Sequence, residues 1–205
     1  MLFFAAVNAV AFIATLIFVP SMPVHERLSY GEQVRVLRKS ITWVSIAAAL
    51  LMNGAVFGVF SYLAGYLESV TKLSWNIISL LLLIYGSSNI IGNIIAGKLL
   101  VKRAAKTIML IPLALGAVYI LLLMGTFTAL PMGVIILVWG ILAGINANVT
   151  QYLIMSAAPE APDFTNGLFL TAVNLGTTIG AAVCGLFISE MGMQYILLGD
   201  FYFYW

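Results

Sequence analysis

The sequence predicts an all-α membrane protein, and three observations support that prediction. Of its 205 residues, 63% are apolar and only 8% are charged, whereas a soluble domain has about 45–50% and about 25%. The apolar residues form six long runs, and the charged residues lie almost entirely between them. Because so few polar side chains could not cover the surface of a globular domain, the composition excludes a soluble protein.

The six runs are long enough to be membrane-spanning helices. A helix rises about 1.5 Å per residue, so a hydrocarbon core about 30 Å thick needs about 20 apolar residues. The runs are 2–19, 41–67, 75–100, 107–128, 133–155 and 167–189. Their single charged residue is Lys98, which lies near an end and can extend its side chain to the interface. The first run has no positive charge before it, so we interpret it as a spanning helix rather than a secretory signal.

The segment 195–205 resembles the beginning of a further helix. Its 11 apolar and aromatic residues are about half of what a span needs, and Asp200 would make a free half-helix in lipid costly. We therefore expect a truncated helix here. An interfacial tail rich in aromatic residues is the alternative.

The first connection, 21–40, is predicted to be a basic cytoplasmic linker. Within 25–39, apolar and charged residues alternate with helical spacing, so a short amphipathic helix on the membrane surface is the alternative to a solvated linker.

The distribution of positive charge predicts the orientation. Two connections carry eight of the nine Lys and Arg residues: Arg27, Arg35, Arg38, Lys39, Lys98, Lys102, Arg103 and Lys106. The connections on the opposite side carry only Lys72. Since Lys and Arg are retained in the cytoplasm, we expect Met1 outside and the 21–40 connection inside.

Several classes of function find no support in the residues. The only histidine, His25, lies in a connection, the six runs hold no carboxylate, and Cys184 is the only cysteine. A membrane-embedded hydrolase needs a nucleophile with its base, or a metal with its ligands. We therefore expect no enzyme, no metal and no cofactor, and the weak positive charge without a basic surface argues against nucleic acid.

Four runs carry uncharged polar residues near mid-depth. They are Asn53, Ser88, Asn89, Asn146, Asn148, Asn174, Thr177 and Thr178. An unpaired amide in lipid is costly, so each should face a neighbouring helix or a watery cavity. Hydrogen bonds between helices explain any one of them, whereas four such helices together favour a polar cavity.

Small residues at four-residue spacing predict close packing of the helices into a bundle. The pairs are Gly54 with Gly58, Gly140 with Gly144, Gly176 with Gly180, and Ala181 with Gly185. Pro112 lies inside the fourth run, where it frees a backbone carbonyl and favours a bend.

A motif after the third run resembles one from a known family. Gly97, Val101, Lys102, Ala104 and Lys106 fall on the second-half copy of the cytoplasmic loop motif of the major facilitator superfamily, Gly-x-x-x-Asp-Arg/Lys-x-Gly-Arg-Arg/Lys. Val101 replaces the acidic residue and Ala104 replaces the second glycine. Gly97, Lys102 and Lys106 retain the packing and cationic elements of the motif.

Further fragments resemble particular branches of that family. The segment 57–62, with 73–75 and 84–86, is similar to the seventh and eighth helices of drug and sugar efflux proteins. Trp139-Gly140, 158–161 and 174–176 are similar to the tenth helix, the following loop and the eleventh helix of arabinose efflux permease-like proteins.

The resemblance implies a fold for the whole chain. It makes 1–20 the equivalent of helix six and 21–40 the linker. It makes 41–205 a carboxy-terminal bundle that includes the truncated twelfth helix. The chain would be the carboxy-terminal half-bundle of a twelve-helix transporter, and the missing amino-terminal half would be its partner. The expected location is the bacterial inner membrane.

The resemblance also implies a function, the proton-coupled efflux of drugs or sugar-like solutes by alternating access. The candidate solute contacts are Asn53, Phe57, Asn89, Asn146 and Asn174. Gly97, Lys102, Arg103 and Lys106 form the cytoplasmic loop motif, whose cations either hold a gate or only set topology. The alternative is a truncated, non-transporting membrane module, or a half-transporter that needs a second chain. A channel is less favoured, because no ring of charges or carbonyl filter is visible.

Overall fold

A computed structural model describes residues 2–19, 29–123, 128–193 and 196. Within these residues the chain is helical and contains no strand, which confirms the predicted all-α class. The elements are α1 (Leu2–Phe18), α2 (Tyr30–Arg35), a 3₁₀ turn (Val36–Arg38), α3 (Ser40–Ser69), α4 (Trp75–Leu123), α5 (Ala129–Ala157) and α6 (Pro162–Met191). Four of them, α3 to α6, are long and apolar enough to cross a membrane.

Helix α4 contains two of the predicted spans. Its 49 residues would extend about 74 Å if straight, more than twice the hydrocarbon thickness. The backbone leaves helical geometry at Arg103, where φ is −149° and ψ is 47°. The connection expected over 101–106 is therefore a break at one residue, because the following Ala104 and Ala105 are strong helix formers. The break lies at Arg103 and not at Pro112, which is inside the helix.

Helices α5 and α6 begin earlier than their apolar runs. We expected starts at 133 and 167, but α5 begins at Ala129 and α6 at Pro162. The added turn of α5, 129–132, is apolar and ends at the buried Met132, so core packing extends that helix. The added turn of α6 is mostly polar and can lie in the interface, because a helix needs apolar side chains only in hydrocarbon. Pro162 and Asp163 both suit the first turn of a helix, the one by its fixed φ and the other by its negative charge.

Glycines bring α3 and α6 into backbone contact. A methyl group on Gly176 would overlap the carbonyl oxygen of Leu50, and one on Gly180 would overlap that of Gly54. A methyl group on Gly58 would lie 2.9 Å from Sγ of Cys184. The close packing predicted from these glycine pairs is confirmed.

A second set of glycines joins α4 to α5. A methyl group on Gly92 would overlap the carbonyl oxygen of Ile141, and one on Gly144 would overlap that of Asn89. Gly140 faces the side chain of Ser88 in the same way. Helix α5 also contacts α3, so the two glycine-packed pairs form one bundle.

Two tyrosine hydroxyl groups join α3 to the second part of α4. Tyr66 Oη donates to the carbonyl oxygen of Leu122 at 2.7 Å, and Tyr119 Oη donates to that of Ala55 at 3.3 Å. Both bonds run between α3 and the second part of α4. They tie that part of α4 to the bundle after the break at Arg103.

The connection before α3 contains a helix, in place of the solvated linker that we favoured. Ser29 and Glu32 form a capping box at the start of α2, which satisfies backbone groups at both residues. Val36 is 1% exposed and packs against Ala158 and Ala161 in the α5–α6 connection. His25 and Arg27 lie outside the described residues.

Helix α1 and Ile196 differ in how they pack. From Ala5 to Phe18 the side chains of α1 are exposed, apart from the partly buried Ala14, as at Val10 and Leu16, which are 66% and 67% exposed. Of the predicted truncated helix 195–205, only Ile196 lies among the described residues, and it is buried in the main core.

The glycine contacts predict the effect of a single methyl group. Gly180→Ala is expected to lower the free energy of unfolding by about 1–3 kcal/mol, because the backbone at Gly54 must move. Gly116→Ala is the matched control: it is also inside a helix, but no atom lies within 4 Å of the added methyl, so it should be neutral or stabilising. Unfolding of both variants in the same detergent measures the difference. Equal changes in the free energy of unfolding for the two variants would contradict the backbone contact at Gly180.

Candidate functional site

Three asparagines form a hydrogen-bonded chain between α4 and α5. Asn148 Nδ2 donates to Oδ1 of Asn93 at 2.6 Å, and Asn93 Nδ2 donates to Oδ1 of Asn89 at 3.0 Å. Asn93 is exposed, while Asn89 and Asn148 are partly buried. Because each primary amide has two donors and a two-lone-pair oxygen, this amide chain can still bind a polar molecule at its ends.

The glycine packing is what places these amides together. Gly144 lies against the backbone of Asn89 and Asn93, so α4 and α5 approach closely at this level. The Gly144 carbonyl oxygen also accepts a hydrogen bond of 2.9 Å from Asn148 Nδ2, which orients that side chain. A bulkier residue at 144 would separate the amides.

A second polar surface lies on α6. Thr171, Asn174 and Thr178 are all exposed, and their spacing of three and four residues places them on one face of the helix. Asn174 Nδ2 donates to the Leu170 carbonyl oxygen of its own helix at 2.8 Å. The amide oxygen of Asn174 thus remains available on the exposed face.

Two of the predicted site residues, Asn53 and Asn146, are buried where α3 crosses α5. They are 2% and 1% exposed. Asn53 Nδ2 donates to the carbonyl oxygen of Ala49 at 2.8 Å, whereas Asn146 Nδ2 reaches that of Met52 at 3.5 Å. Asn146 Oδ1 has no hydrogen-bond partner among the described residues. Both side chains are buried at this crossing, and among the described residues no hydrogen bond joins either of them to Asn89 or Asn174.

Aromatic side chains extend from Phe57 into the core. Phe57 is partly buried and meets Phe60 edge-on, with ring centroids 6.4 Å apart. Phe60 stacks on Tyr85 at 4.6 Å, and Trp139 contacts both Tyr85 and Tyr119 at 5.1 and 5.9 Å. Phe57 is therefore the outer end of an aromatic cluster that includes α3, both parts of α4, and α5.

The residues of the loop motif lie at the break in α4. Gly97 is exposed and has no neighbouring atom within 4 Å of an added methyl group. Lys102, Arg103 and Lys106 are exposed. Within the part of the chain that the structure describes, these three cations form no ion pair. No three His, Cys, Asp or Glu side chains of the described residues are grouped to hold a metal.

Sequence reasoning did not select Asn93 and Asn148 as site residues. The usable signal was the four-residue spacing of Asn89 with Asn93 and of Gly144 with Asn148, which aligns each pair on one helix face. Only the register of α4 against α5 shows that the two faces meet, and that register is a property of the packed helices.

The amide chain predicts a measurable coupling between two helices. In a double-mutant cycle, Asn93→Ala and Asn148→Ala should show an interaction energy of about 0.6 kcal/mol, and at most about 1.7 kcal/mol, in unfolding of the chain in detergent. The control cycle pairs Asn148→Ala with Asn174→Ala, because the Asn174 side chain donates its described hydrogen bond within its own helix. An interaction energy of zero between Asn93→Ala and Asn148→Ala would show that the hydrogen bond at 2.6 Å does not stabilise the bundle. An equal interaction energy in the control cycle would show that the coupling does not come from that bond.

Comparisons with known proteins agree with the resemblance found in the motifs. The sequence pattern of the Major Facilitator Superfamily matches residues 1–181. The chain is 32% identical over 198 residues to the uncharacterized MFS-type transporter YtbD of Bacillus subtilis. It is 25% identical over 199 residues to the inner membrane transport protein YdhP of Escherichia coli. These matches cover 92% and 93% of this chain and 49% of each relative.

A third relative is named as a regulatory protein and not as a transporter. The chain is 30% identical over 151 residues to the transcription regulatory protein OpdE of Pseudomonas aeruginosa, a match that covers 73% of this chain and 37% of that protein. The chain thus spans about half the length, or less, of these curated relatives. Because the family pattern extends over most of the chain and four helices can cross a membrane, the chain belongs to the major facilitator superfamily and is an integral, multi-pass membrane protein.

Proposed function

We propose that this chain is the carboxy-terminal half of a secondary active transporter. The exposed amides on its spanning helices carry the proposal. In hydrocarbon, an amide group without a polar partner is costly, yet Asn174 is exposed on a helix long enough to cross a membrane, and its amide oxygen accepts no hydrogen bond among the described residues. Asn93 is also exposed but is satisfied by Asn89 and Asn148, so the unsatisfied groups of the amide chain are those at its two ends. A second half-bundle enclosing a watery route would supply those amides with water, solute or protein partners.

The described helices support a half-bundle of six spans, and the proposed start of a seventh rests on the sequence of 195–205. Helix α1, α3, the two parts of α4, α5 and α6 correspond to the six apolar runs. The exposed side chains of α1 leave it free to pack against other helices. Its place in the family would be the sixth helix, next to the missing amino-terminal half.

The proposed mechanism is alternating access around a site at the membrane midplane. The glycine contacts make α3 with α6, and α4 with α5, a tightly packed unit that can move as one body against the other half. In this proposal the amide chain and Asn174 contact the solute directly. Asn53, Phe57 and Asn146 contact it only when the α3–α5 crossing opens.

Proton coupling and efflux are also part of the proposal, and they rest on the resemblance to drug and sugar efflux proteins. The six apolar runs of this chain hold no Asp or Glu, so the proton-carrying carboxylate is expected in the other half. Lys102, Arg103 and Lys106, at the break in α4, are proposed to hold the cytoplasmic gate or to fix the orientation of the helices. The host membrane is proposed to be a bacterial inner membrane.

The alternative is a membrane module that does not transport, or a half that assembles with a separate chain. Two observations favour keeping it. The chain spans only 37–49% of its curated relatives, and one of them is named as a transcription regulatory protein. Both candidates predict the same fold, so only a measurement of flux separates them.

The flux experiment uses the chain with and without the remaining half of the Bacillus subtilis relative. Vesicles containing the chain alone should show no movement of ethidium or radiolabelled arabinose. Vesicles containing both halves should move one of these probes when a pH gradient is imposed, and a protonophore should abolish the movement. Absence of flux with both halves and both probes would favour the non-transporting module, and flux from the chain alone would contradict the half-transporter.

Substitutions in the amide chain should lower that flux specifically. Asn93→Leu with Asn148→Leu is expected to reduce it about tenfold, because each lost hydrogen bond costs about 0.5–1.5 kcal/mol. Ile94→Leu with Val134→Leu is the matched control, since these residues are exposed on the same helices at 63% and 60% but are apolar. Equal flux from the two double variants would show that the amide side chains are not part of the solute path.

A further inference from the structure

A pocket of about 610 Å³ lies beside the start of α3. Its walls come from α2, the 3₁₀ turn and the α5–α6 connection. The lining residues are Glu32, Arg35, Val36, Arg38, Lys39 and Glu160. None of them belongs to the proposed solute path, so the pocket needs its own explanation.

The pocket has a fixed frame. Val36 forms its buried floor by packing against Ala158 and Ala161. Thr42 Oγ1 donates to the carbonyl oxygen of Val36 at 3.1 Å, and Trp43 Nε1 donates to that of Leu37 at 2.8 Å. These bonds hold the 3₁₀ turn on the first turn of α3, so the side chains that it presents are positioned before any ligand arrives.

Three of the five charged groups in the pocket already have partners. Lys39 Nζ lies 2.6 Å from Glu160 Oε1, and this hydrogen bond from Lys39 lowers the pKa of the Glu160 carboxyl. Glu160 therefore stays ionised at neutral pH and keeps Lys39 paired. Glu32 Oε2 accepts hydrogen bonds of 3.0 Å from the backbone N–H and the hydroxyl of Ser29.

Arg35 and Arg38 differ from these groups. Both are exposed, and neither forms an ion pair with any carboxylate of the described residues. The charged lining residues, three cations and two carboxylates, sum to +1. A guanidinium offers a planar fork of N–H donors that matches the geometry of phosphate, so the pocket suits a ligand with one negative charge on a phosphate.

The surroundings place the pocket at the level of lipid headgroups. Helix α3 starts at Ser40, directly after the pocket, and its first turns expose Ile41 and Trp43 at 56% and 57%. Val34, on α2, is 53% exposed. Tryptophan concentrates where hydrocarbon meets headgroups, and basic residues beside a spanning helix attract anionic lipids. Trp43 lies beside the 3₁₀ turn, because its Nε1 bonds to Leu37, and it therefore brings an exposed aromatic side chain next to the pocket.

We propose that Arg35 and Arg38 bind the phosphate of an anionic phospholipid, with Trp43 against its glycerol and upper acyl region. The headgroup would occupy the pocket, and its single negative charge would balance the net charge of the lining residues. The lipid would fasten the connection before α3 to the α5–α6 connection, because both form the pocket. This site stands whether or not the chain transports.

The test measures lipid retention by the full chain. The protein is equilibrated with mixed micelles of phosphatidylglycerol and phosphatidylcholine, and native mass spectrometry counts the lipids that stay bound. We expect one phosphatidylglycerol to be retained in preference to phosphatidylcholine. Arg35→Gln with Arg38→Gln should weaken this binding about 25-fold, because each basic residue near an anionic surface contributes a factor of about five.

Lys102→Gln with Lys106→Gln is the matched control, since these exposed cations lie at the break in α4. The control should retain the lipid. Equal loss of phosphatidylglycerol from the arginine and lysine double variants would show diffuse attraction to positive charge and overturn the site. Equal retention of phosphatidylglycerol and phosphatidylcholine by the native chain would also overturn it. Displacement of phosphatidylglycerol by millimolar inorganic phosphate would overturn the lipid assignment.

A variant that keeps charge guards against misfolding of the glutamine variant. Arg35→Lys with Arg38→Lys preserves both positive charges but removes the planar fork of donors. If the fork binds phosphate, this variant should bind phosphatidylglycerol severalfold more weakly than the native chain. Undiminished binding by the lysine variant, with native helical circular dichroism, would overturn the role of the two guanidinium groups.

Discussion

Direct contact between the backbones of neighbouring helices is the constraint on which the rest of this bundle depends. In lipid, helices gain little from hiding apolar side chains, so they associate through close packing and hydrogen bonds. Gly176 and Gly180 provide that packing between α3 and α6, and Gly92 and Gly144 provide it between α4 and α5. Because no Cβ separates the chains at these points, the register of each pair is fixed, and the register decides which polar side chains meet.

The sequence predicted those features that depend on local composition. Apolar runs of sufficient length had to be helices in a membrane, since only a helix satisfies its own backbone groups there. Glycines four residues apart, such as Gly176 with Gly180, had to lie on one face. Charged residues had to lie outside the hydrocarbon, which located the ends of the spans to within about one turn. The family that the 97–106 motif indicated is confirmed by the match over residues 1–181.

The features that the sequence did not predict depend on contacts between distant segments. The connection between the two spans is a break at Arg103 alone, because the residues that follow it favour helix. The length of an apolar run cannot predict that a helix continues into water. The helix before α3 owes its position to Val36 and the α5–α6 connection, more than 100 residues away in sequence. The meeting of Asn93 with Asn148 likewise depends on the register of two helices.

Asparagine and threonine on the exposed face of α6 differ in the environment that they require. The hydroxyl groups of Thr171 and Thr178 donate to carbonyl oxygens four residues earlier, at 2.9 Å each. A hydroxyl has one donor, so these threonines are already satisfied and tolerate lipid. Asn174 makes one such bond but has a second N–H and an amide oxygen. Helix α6 therefore needs a polar neighbour at Asn174 and not at the two threonines, and a search for the proposed solute path or the proposed second half should begin at this level of the helix.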